Sequence, residues 1–268
     1  MQIVTANRAI GEIRNGCTKP YNVLCGGETF VVKFMQNPEG VRVLANEFIC
    51  SKLAEMLQLP IPTPAIIEVR QTFIEDHGNE VANHVGESIT AGNHFGTKRL
   101  KKAYQVTSAE MLHMAKNIHV VPEILLFDHW IHNSDRDRNG GNLLFDAVRM
   151  EVVIIDHTHA FDLGPLWNAT QLKQRLNDQF SIFDTSGYVY KKLVPYIRGN
   201  RPFHSILDKM SRLTRDDLWN IIKSVPEEWN VSEEDKIALH SYLWNRLNRI
   251  EQVLPLLKPV LPYWKGGT

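Results

Sequence analysis

One short loop constrains this chain more than any other segment. Residues 133–142 read Asn-Ser-Asp-Arg-Asp-Arg-Asn-Gly-Gly-Asn. They lie between an apolar, helix-like run at 124–131 and two strand-like runs at 143–145 and 152–155, and Asp156 follows directly. Such residues are good turn formers, so a solvated turn is the plain interpretation. Because core elements bracket the loop, we favour a site where Asp and Asn oxygens hold a metal ion such as Mg²⁺ and support proton chemistry.

Length, charge and cysteine content bound the class of protein. The chain has 268 residues, enough for one large domain or for two lobes that share a cleft. Basic and acidic residues both number 30, so nucleic-acid binding is not indicated, although a local basic patch is compatible with the zero net charge. No apolar run reaches the roughly 18 residues of a membrane span, and no signal-peptide core is present, so no membrane partner is expected. Cys17, Cys25 and Cys50 have no zinc-binding spacing, which indicates reduced thiols in a cytoplasmic protein.

Apolar periodicity divides the chain into a β-rich part and a helical part. The strand-like runs are 21–25, 29–34 and 65–69, and the helical runs are 41–58, 122–132, 168–177, 203–211, 214–224 and 232–254. Residues 71–104 are expected to hold a strand and a connection, and the tail 255–268 is expected to be extended. We therefore expect an α+β fold with a β-rich lobe over 1–95, a helical lobe over 96–268, and a ligand cleft.

Lys33 lies in an apolar strand pattern, Val-Val-Lys-Phe. Taken alone, it is most simply a solvent-facing or edge-strand lysine. Glu47 in the following helix changes this interpretation, because a strand lysine paired with a helix glutamate positions nucleotide phosphates. The turn at Gly26 and Gly27, just before the strand, would then offer backbone NH groups to those phosphates.

These parts follow a definite order: glycine turn, strand lysine, helix glutamate, Asp/Asn loop, hairpin and strand-end aspartate. The short sequence motifs at these positions are Val-Val-Lys-Phe at 31–34, Asn-Glu-Phe at 46–48, Asn-Ser-Asp-Arg at 133–136, Asn-Leu-Leu at 142–144 and Ile-Ile-Asp at 154–156. With these motifs in this order, the chain resembles the HipA-like kinases, relatives of the phosphoinositide kinases within the protein-kinase superfamily. The motifs span residues 20–165, and the rest is similar in its helical character.

The resemblance implies a two-lobed protein-kinase-like fold and an ATP- and Mg²⁺-dependent phosphotransferase. Its partners would be a nucleotide and a protein substrate that accepts phosphate on a Ser/Thr hydroxyl. Lys33 would contact the nucleotide phosphates, and Glu47 would hold Lys33 in place. Gly26 and Gly27 would lie over the same phosphates.

The resemblance also assigns chemistry to the polar loop. Asn142 and Asp156 would bind Mg²⁺, and Asp135 would accept or orient the proton of the substrate hydroxyl. Kinases of the protein-kinase superfamily commonly place the catalytic aspartate five residues before the metal-binding asparagine, a spacing that Asp137 satisfies and Asp135 does not. We prefer Asp135 for its context, Asn-Ser-Asp-Arg, but Asp137 stays open and Asn139 is a possible additional ligand.

Two other functions stay open. The displaced aspartate is also compatible with a nucleotide-binding module that has lost catalysis. Asp156 is followed by His-Thr-His and not by the Phe-Gly of most protein kinases. His129, His132, His157 and His159 are available for a His/Asp metallohydrolase site, although local hydrogen bonding is their simpler role.

Residues 88–99 are rich in glycine and small polar side chains. This composition is typical of a mobile segment between lobes, near the adenine, or of a plain surface loop. Lys98, Arg99, Lys101 and Lys102 form a short basic cluster. It would suit a phosphorylated or nucleic-acid partner, but a run of charges is usually a solvated face.

Overall fold

Five strands in the N-terminal part close into a barrel. The computed structural model describes residues 1–136 and 142–267. The strands are β1 (Gln2–Glu12), β2 (Tyr21–Cys25), β3 (Glu28–Lys33), β4 (Pro64–Val69) and β5 (Gly92–Lys98). Their order around the barrel is β1-β2-β3-β5-β4, with β1 and β4 parallel and the other neighbours antiparallel. The strands predicted from the sequence are confirmed, and β1 is an addition that the sequence pattern did not indicate.

The expectation of a mobile segment or a surface loop at 88–99 was wrong. Most of this segment is β5, which pairs with β3 on one side and β4 on the other. A Cβ atom on Gly96 would lie 2.7 Å from Cγ1 of Ile67. Glycine here therefore permits close packing between strands and does not indicate mobility.

Helix α2 (Gln71–Val85) covers the barrel beside β1, in a region where no helix was predicted. Phe73, Val81 and Val85 are buried and belong to the same apolar cluster as the barrel interior. The helix ends at Gly86, whose φ of 95° is left-handed. Its few apolar residues and the glycine at its centre, Gly78, lower the helical signal of the sequence.

Helix α1 (Arg42–Met56) is buried on most of its surface and confirms the helix predicted over 41–58. Val43, Leu44, Phe48 and Leu53 are at most 3% exposed. They belong to the apolar cluster of the C-terminal helices and not to the cluster inside the barrel. The helix that carries Glu47 is therefore anchored mainly in the C-terminal part.

The C-terminal part combines a small antiparallel sheet with helices. The sheet consists of β6 (Ala103–Gln105), β7 (Leu143–Asp146) and β8 (Glu151–Ile154). The helices are α3 (Ala109–His113), α4 (Val121–Ile131), α5 (Ala169–Gln174), α6 (Tyr190–Leu193), α7 (His204–Ser211), α8 (Arg215–Lys223), α9 (Glu233–Asn248) and α10 (Leu254–Leu257). Every residue of α4 is buried, so this helix forms the centre of the C-terminal core. The predicted hairpin and the helices over 122–132, 203–211 and 214–224 are confirmed.

The C-terminal tail is not extended, contrary to the expectation for 255–268. It forms α10 and a further 3₁₀ turn at Lys258–Val260, and Trp264 then makes a parallel bridge with Gly199. Leu261 and Trp264 are buried. Prolines suit these turns because they occupy the first helical positions, where no backbone NH donor is needed.

The chain thus has a mixed α+β fold, with a β-rich N-terminal part followed by a mainly helical part. Within the described ranges, no helix is both long and apolar enough to cross a membrane.

Candidate active site

A cleft of about 840 Å³ is lined by both parts of the chain. Phe95 comes from the barrel, whereas Leu144 and Ile154 come from the small C-terminal sheet. The residues predicted to bind the nucleotide or metal or to take the proton that also line it are Lys33, Glu47, Asp135, Asn142 and Asp156. Segments far apart in the chain therefore meet at one cavity.

Lys33 lies at the end of β3, on the face opposite its buried neighbour Val32. Its Nζ atom forms an ion pair with the carboxylate of Glu47 and lies 3.0 Å from Oδ1 of Asp156. Nζ also donates to Oγ1 of Thr158 at 2.9 Å. The lysine is therefore a cleft residue with two carboxylate partners, and not the solvent-facing lysine of the simpler interpretation.

The charges of this cluster stabilise one another. Burial alone lowers the pKa of Lys33, but Asp156 and Glu47 outweigh it and hold the pKa above its ordinary value. Burial likewise raises the pKa of Glu47, whereas Lys33 and His157 bring it well below its usual range. Glu47 Oε1 accepts further hydrogen bonds from the His157 backbone NH at 3.2 Å and the Thr158 hydroxyl at 3.1 Å. Lys33 and Glu47 are consequently both charged near neutral pH.

Asn46 fixes the segment after Asp156 against α1, a role that the sequence did not reveal. Its side-chain amide donates to the carbonyls of Thr158 at 2.8 Å and Gly164 at 3.0 Å. Its Oδ1 accepts from the indole NH of Trp167 at 2.7 Å. The available signal was its position beside Glu47 in the word Asn-Glu-Phe, where a polar residue interrupts a buried helix face.

Asp156 has a left-handed backbone with φ of 60°. Aspartate and asparagine tolerate this region better than most residues with a side chain. The preceding residue, Ile155, donates its NH to the Asn142 carbonyl at 3.2 Å, so the end of the hairpin fixes this geometry. The side chain of Asp156 is 31% exposed, which leaves it open to the cleft.

Asp135 and Asn142 lie close together at the cleft, on either side of the polar loop. The amide of Asn142 is 3.5 Å from Oδ2 of Asp135, a long contact. Asp137 and Asn139 lie outside the described residues. The assignment of the proton-accepting role between Asp135 and Asp137 therefore stays a prediction.

Arg136 is fully buried and joins the elements that carry these side chains. Its guanidinium donates to both carboxylate oxygens of Asp128 on α4, at 2.6 and 2.8 Å. It also donates to the carbonyls of Asn142 at 2.7 Å and Ile155 at 3.1 Å. The Tyr190 hydroxyl bonds Asp128 as well, at 2.9 Å. Sequence reasoning missed this residue, although an arginine directly after the candidate aspartate was visible.

The turn at Gly26 and Gly27 closes the β2–β3 hairpin at the end far from Lys33. Six residue steps at about 3.3 Å each place Gly27 roughly 20 Å from Lys33 along the strand. The Gly26 NH donates to Oδ1 of Asn7 at 2.8 Å. Neither glycine is among the described residues that line the cleft. The predicted phosphate contact of this turn stays a prediction without support from this geometry.

A different glycine loop reaches the cleft, namely the connection between β1 and β2. Ile13, Gly16, Cys17 and Thr18 are among its residues that line the cavity. Gly16 has φ of 113°, a conformation that favours glycine. Sequence reasoning missed this loop because β1 was not identified, although Asn-Gly-Cys-Thr is a recognisable turn composition.

The basic cluster after β5 also lies at the cleft. Lys98, Arg99, Lys101 and Lys102 all line it, where the barrel connects to β6. Lys98 forms an ion pair with Glu28 at 2.5 Å. The cluster thus contributes positive charge to one side of the cavity.

The histidines proposed for a metallohydrolase bond to other groups. The imidazole of His129 hydrogen-bonds the Leu125 carbonyl at 2.8 Å and stacks on Phe183, and burial lowers its pKa to about 4. His132 contacts the Tyr242 hydroxyl at 3.3 Å. Nδ1 of His157 lies 3.8 Å from Oε2 of Glu47, and Nε2 of His159 lies 3.4 Å from Oε1 of Glu39. Across residues 1–136 and 142–267, no group of three or more His, Cys, Asp or Glu is arranged to hold a metal ion.

Two solved structures of bacterial proteins superpose on this chain. The Helicobacter pylori proinflammatory kinase CtkA superposes with a TM-score of 0.54 at 14% identity, over 95% of this chain and 96% of that one. HipA of Shewanella oneidensis MR-1, solved with HipB and operator DNA of its toxin–antitoxin system, gives a TM-score of 0.47 at 14% identity, over 94% of this chain and 65% of that one. The likeness to CtkA shows a shared fold.

A comparison with curated proteins gave no match. A family model described as HipA-like kinase, in contrast, matches residues 7–258, nearly the whole length. The match includes most of the barrel, the residues that line the cleft and most of the helical part. The chain therefore belongs to the HipA-like kinase family.

Proposed function

We propose that this protein is an ATP- and Mg²⁺-dependent kinase that transfers phosphate to a Ser/Thr hydroxyl of a protein. One observation carries the proposal: Lys33 Nζ contacts Glu47, Asp156 and Thr158 together at the cleft. These residues come from the barrel, α1 and the segment after β8. A lysine, its helix glutamate and a metal-binding aspartate are the groups that position phosphates in protein kinases.

The proposed arrangement is two-lobed. The N-terminal lobe would contain the barrel and α2, and it would end after β5, a little beyond the boundary at 95 expected from the sequence. The remainder would form the helical lobe. Because α1 packs with the C-terminal helices, we assign it to the junction between the lobes.

The described residues fit Mg²⁺ better than a transition metal. The available donors are the carboxylate oxygens of Asp156 and Asp135 and the amide oxygen of Asn142, all at the cleft. Magnesium takes hard oxygen ligands and completes its shell with water and substrate phosphates, so two protein ligands suffice. Asn142 and Asp156 would hold the ion, and Mg²⁺ bound with ATP would neutralise charge on the transferred phosphate.

The protein contributes positioning and charge in this proposal. Lys33 would orient the nucleotide phosphates, while Glu47 and Thr158 fix the direction of its ammonium group. Asp135, or Asp137, would accept a hydrogen bond from the acceptor hydroxyl and take its proton as the phosphate is transferred. The loop at Gly16 would cover the phosphates from the barrel side.

The decisive experiment measures Mg²⁺-dependent ATP binding and phosphate transfer in the wild type and in Asp156→Asn. Asparagine keeps the left-handed backbone accessible, so the variant should fold and lose about 10²–10³-fold in kcat. Lys52→Met, a lysine paired with Glu55 on α1, is the matched control for Lys33→Met, which should raise the KM for ATP. A wild type that neither binds nor turns over ATP with Mg²⁺ contradicts the proposal.

Asp135→Asn and Asp137→Asn separate the two candidate aspartates. The variant that lowers kcat while leaving the KM for ATP unchanged identifies the proton acceptor. ATP binding without transfer to any hydroxyl in the wild type would instead support the non-catalytic nucleotide-binding module.

A further inference from the structure

A second groove, of about 790 Å³, lies on the C-terminal part. It is formed by α3, by the segment that leads into α6, and by the turn after α6. None of its described lining residues also lines the cleft. It is therefore a concave surface separate from the cleft.

The charged side chains of this groove are basic. Lys191, Lys192 and Arg198 line it, and no aspartate or glutamate does so among the described residues. Lys191 and Arg198 are exposed. Because the whole chain has no net charge, this concentration of cations is local and suits an anionic ligand.

Two tyrosines that line the groove are held in place by contacts within the protein. Lys192 Nζ lies 3.2 Å from the centre of the Tyr188 ring and donates to the Tyr188 carbonyl at 2.6 Å. The Tyr196 hydroxyl hydrogen-bonds Nδ1 of His113 at 2.7 Å. Fixed aromatic rings beside cations are typical of surfaces that bind peptides, because little side-chain freedom is lost on binding.

The groove is connected to the candidate active site through α6. Tyr190, the first residue of that helix, bonds Asp128, and Asp128 holds Arg136. Arg136 in turn bonds the carbonyls of Asn142 and Ile155, beside the proposed metal ligands. A partner in the groove would therefore be held by an element that packs directly on the support of the catalytic loop.

We propose that this groove binds an acidic segment of the protein substrate, with Lys191 and Arg198 pairing with its carboxylates. Tyr188 and Tyr196 pack against the bound segment. Three lysine or arginine side chains line the groove among the described residues, and the chain is neutral overall. Both facts disfavour a nucleic acid, since nucleic-acid sites align many cations along a backbone. The identity of the occupant as a substrate rests on the proposed kinase function, whereas the preference for acidic peptides does not.

The test compares three fluorescent serine peptides that differ only in four flanking positions, occupied by Glu, Gln or Lys. Binding to the full chain is measured by anisotropy without ATP, and transfer is measured with ATP and Mg²⁺. The altered protein is Lys191→Glu with Arg198→Glu. The control is Arg215→Glu with Lys223→Glu, the same charge change at exposed residues of α8.

The Glu peptide should bind the wild type about three- to tenfold more tightly than the Gln peptide, as expected for two solvent-exposed ion pairs. The Lys191→Glu, Arg198→Glu protein should lose this preference and favour the Lys peptide, whereas the α8 control should keep it. If transfer occurs, the KM for the Glu peptide should be about three- to tenfold higher in the Lys191→Glu, Arg198→Glu protein than in the wild type. Its kcat and its KM for ATP should be unchanged.

Several outcomes overturn the inference. Equal affinity of the wild type for the three peptides would do so, as would an equal loss in the α8 control. Tighter binding of a single-stranded oligonucleotide, abolished by Lys191→Glu with Arg198→Glu, would identify a nucleic-acid site in its place. Acidic preference in a protein that neither binds nor turns over ATP leaves the groove standing and refutes the kinase proposal, whereas phosphate transfer without acidic preference does the reverse.

Discussion

Two clusters of charged side chains flank the same loop and differ in their access to solvent. In the cleft cluster, Lys33, Glu47 and Asp156 have side chains that are 11%, 4% and 31% exposed. In the buried cluster, Arg136 and Asp128 are both 0% exposed. Asp156 can exchange its protein partner for a ligand, whereas the Arg136–Asp128 pair has only protein around it.

This difference in exposure indicates that the cleft cluster is suited to bind a ligand, whereas the buried cluster supports the fold around it. A buried charge is tolerated when all of its hydrogen bonds are made, and the planar guanidinium of Arg136 meets a carboxylate and two backbone carbonyls at once. Lysine would not reproduce that fork. The cleft cluster is built around a compact ammonium group that can shift from carboxylates to phosphates.

The largest effect on stability is expected from Arg136→Met. It leaves Asp128 buried without a counter-charge, removes the guanidinium donor from the Ile155 carbonyl and removes one of the two donors to the Asn142 carbonyl. These losses should cost about 3–5 kcal/mol in the free energy of unfolding. Urea denaturation followed by circular dichroism measures this loss. Arg201→Met, at an exposed arginine, is the control and should change stability by less than about 0.5 kcal/mol. A loss below about 1 kcal/mol for Arg136→Met would contradict the contrast between the clusters.

The cleft cluster should respond differently to removal of its charges. Lys33→Met removes the buried lysine that is the main counter-charge of Glu47 and should cost about 1–3 kcal/mol in unfolding free energy. Adding Glu47→Gln removes the uncompensated charge while keeping an acceptor for the His157 backbone NH, so most of that stability should return. Phosphate transfer should stay at least about tenfold below wild type in the double variant. Recovery of transfer together with stability would show that Lys33 has only a structural role.

As pH falls, the contribution of buried His129 to the free energy of unfolding should be lost before that of Glu47. Burial lowers the folded-state pKa of His129 to about 4 from an ordinary value of 6.5. The unfolded chain therefore binds this proton at a higher pH, so the contribution is complete above pH 6.5 and is lost as pH falls towards 4. Glu47, whose folded-state pKa lies below its ordinary value of 4.5, keeps its contribution down to about pH 4.5 and loses it only below that pH.

Unfolding free energies measured from pH 7 to pH 4 test this order. The fall in stability should be smaller by up to roughly 3 kcal/mol in His129→Gln than in the wild type. His94, whose pKa burial also lowers to about 4, stays in both proteins and provides the common background. Parallel curves for the two proteins would contradict the assignment to His129.

The smallest effects are expected at the two glycine turns of the barrel. Gly27→Ala forces a side chain into a backbone with φ of 86° and should cost about 1–2 kcal/mol in stability without changing the KM for ATP. Gly16→Ala, at φ of 113° in the loop that lines the cleft, should also raise that KM. An ATP effect of Gly27→Ala alone would restore the phosphate role expected for the Gly26–Gly27 turn.

The sequence predicted the local elements around the site more reliably than the rest of the fold. Strong periodicity identified the strand of Lys33, the helix of Glu47 and the hairpin before Asp156. It missed α2 and misjudged β5, because few apolar residues mark α2 and because the glycines of β5 reflect contact with Ile67. It also missed Arg136 as a support, since nothing local shows that an arginine beside two polar neighbours is buried.

The sequence by itself determined which chemical groups the chain possesses, their order, and the family to which it belongs. Only the tertiary structure decided which groups meet. Lys33 and Asp156 are 123 positions apart, and their contact depends on the packing of the barrel, α1 and the small sheet. Likewise, the sequence predicted that the Gly26–Gly27 turn lies at the cleft, but the tertiary structure places the loop at Gly16 there. Sequence periodicity reflects the secondary structure of neighbouring residues, whereas contacts between residues far apart in the chain depend on burial and hydrogen bonding in the whole fold.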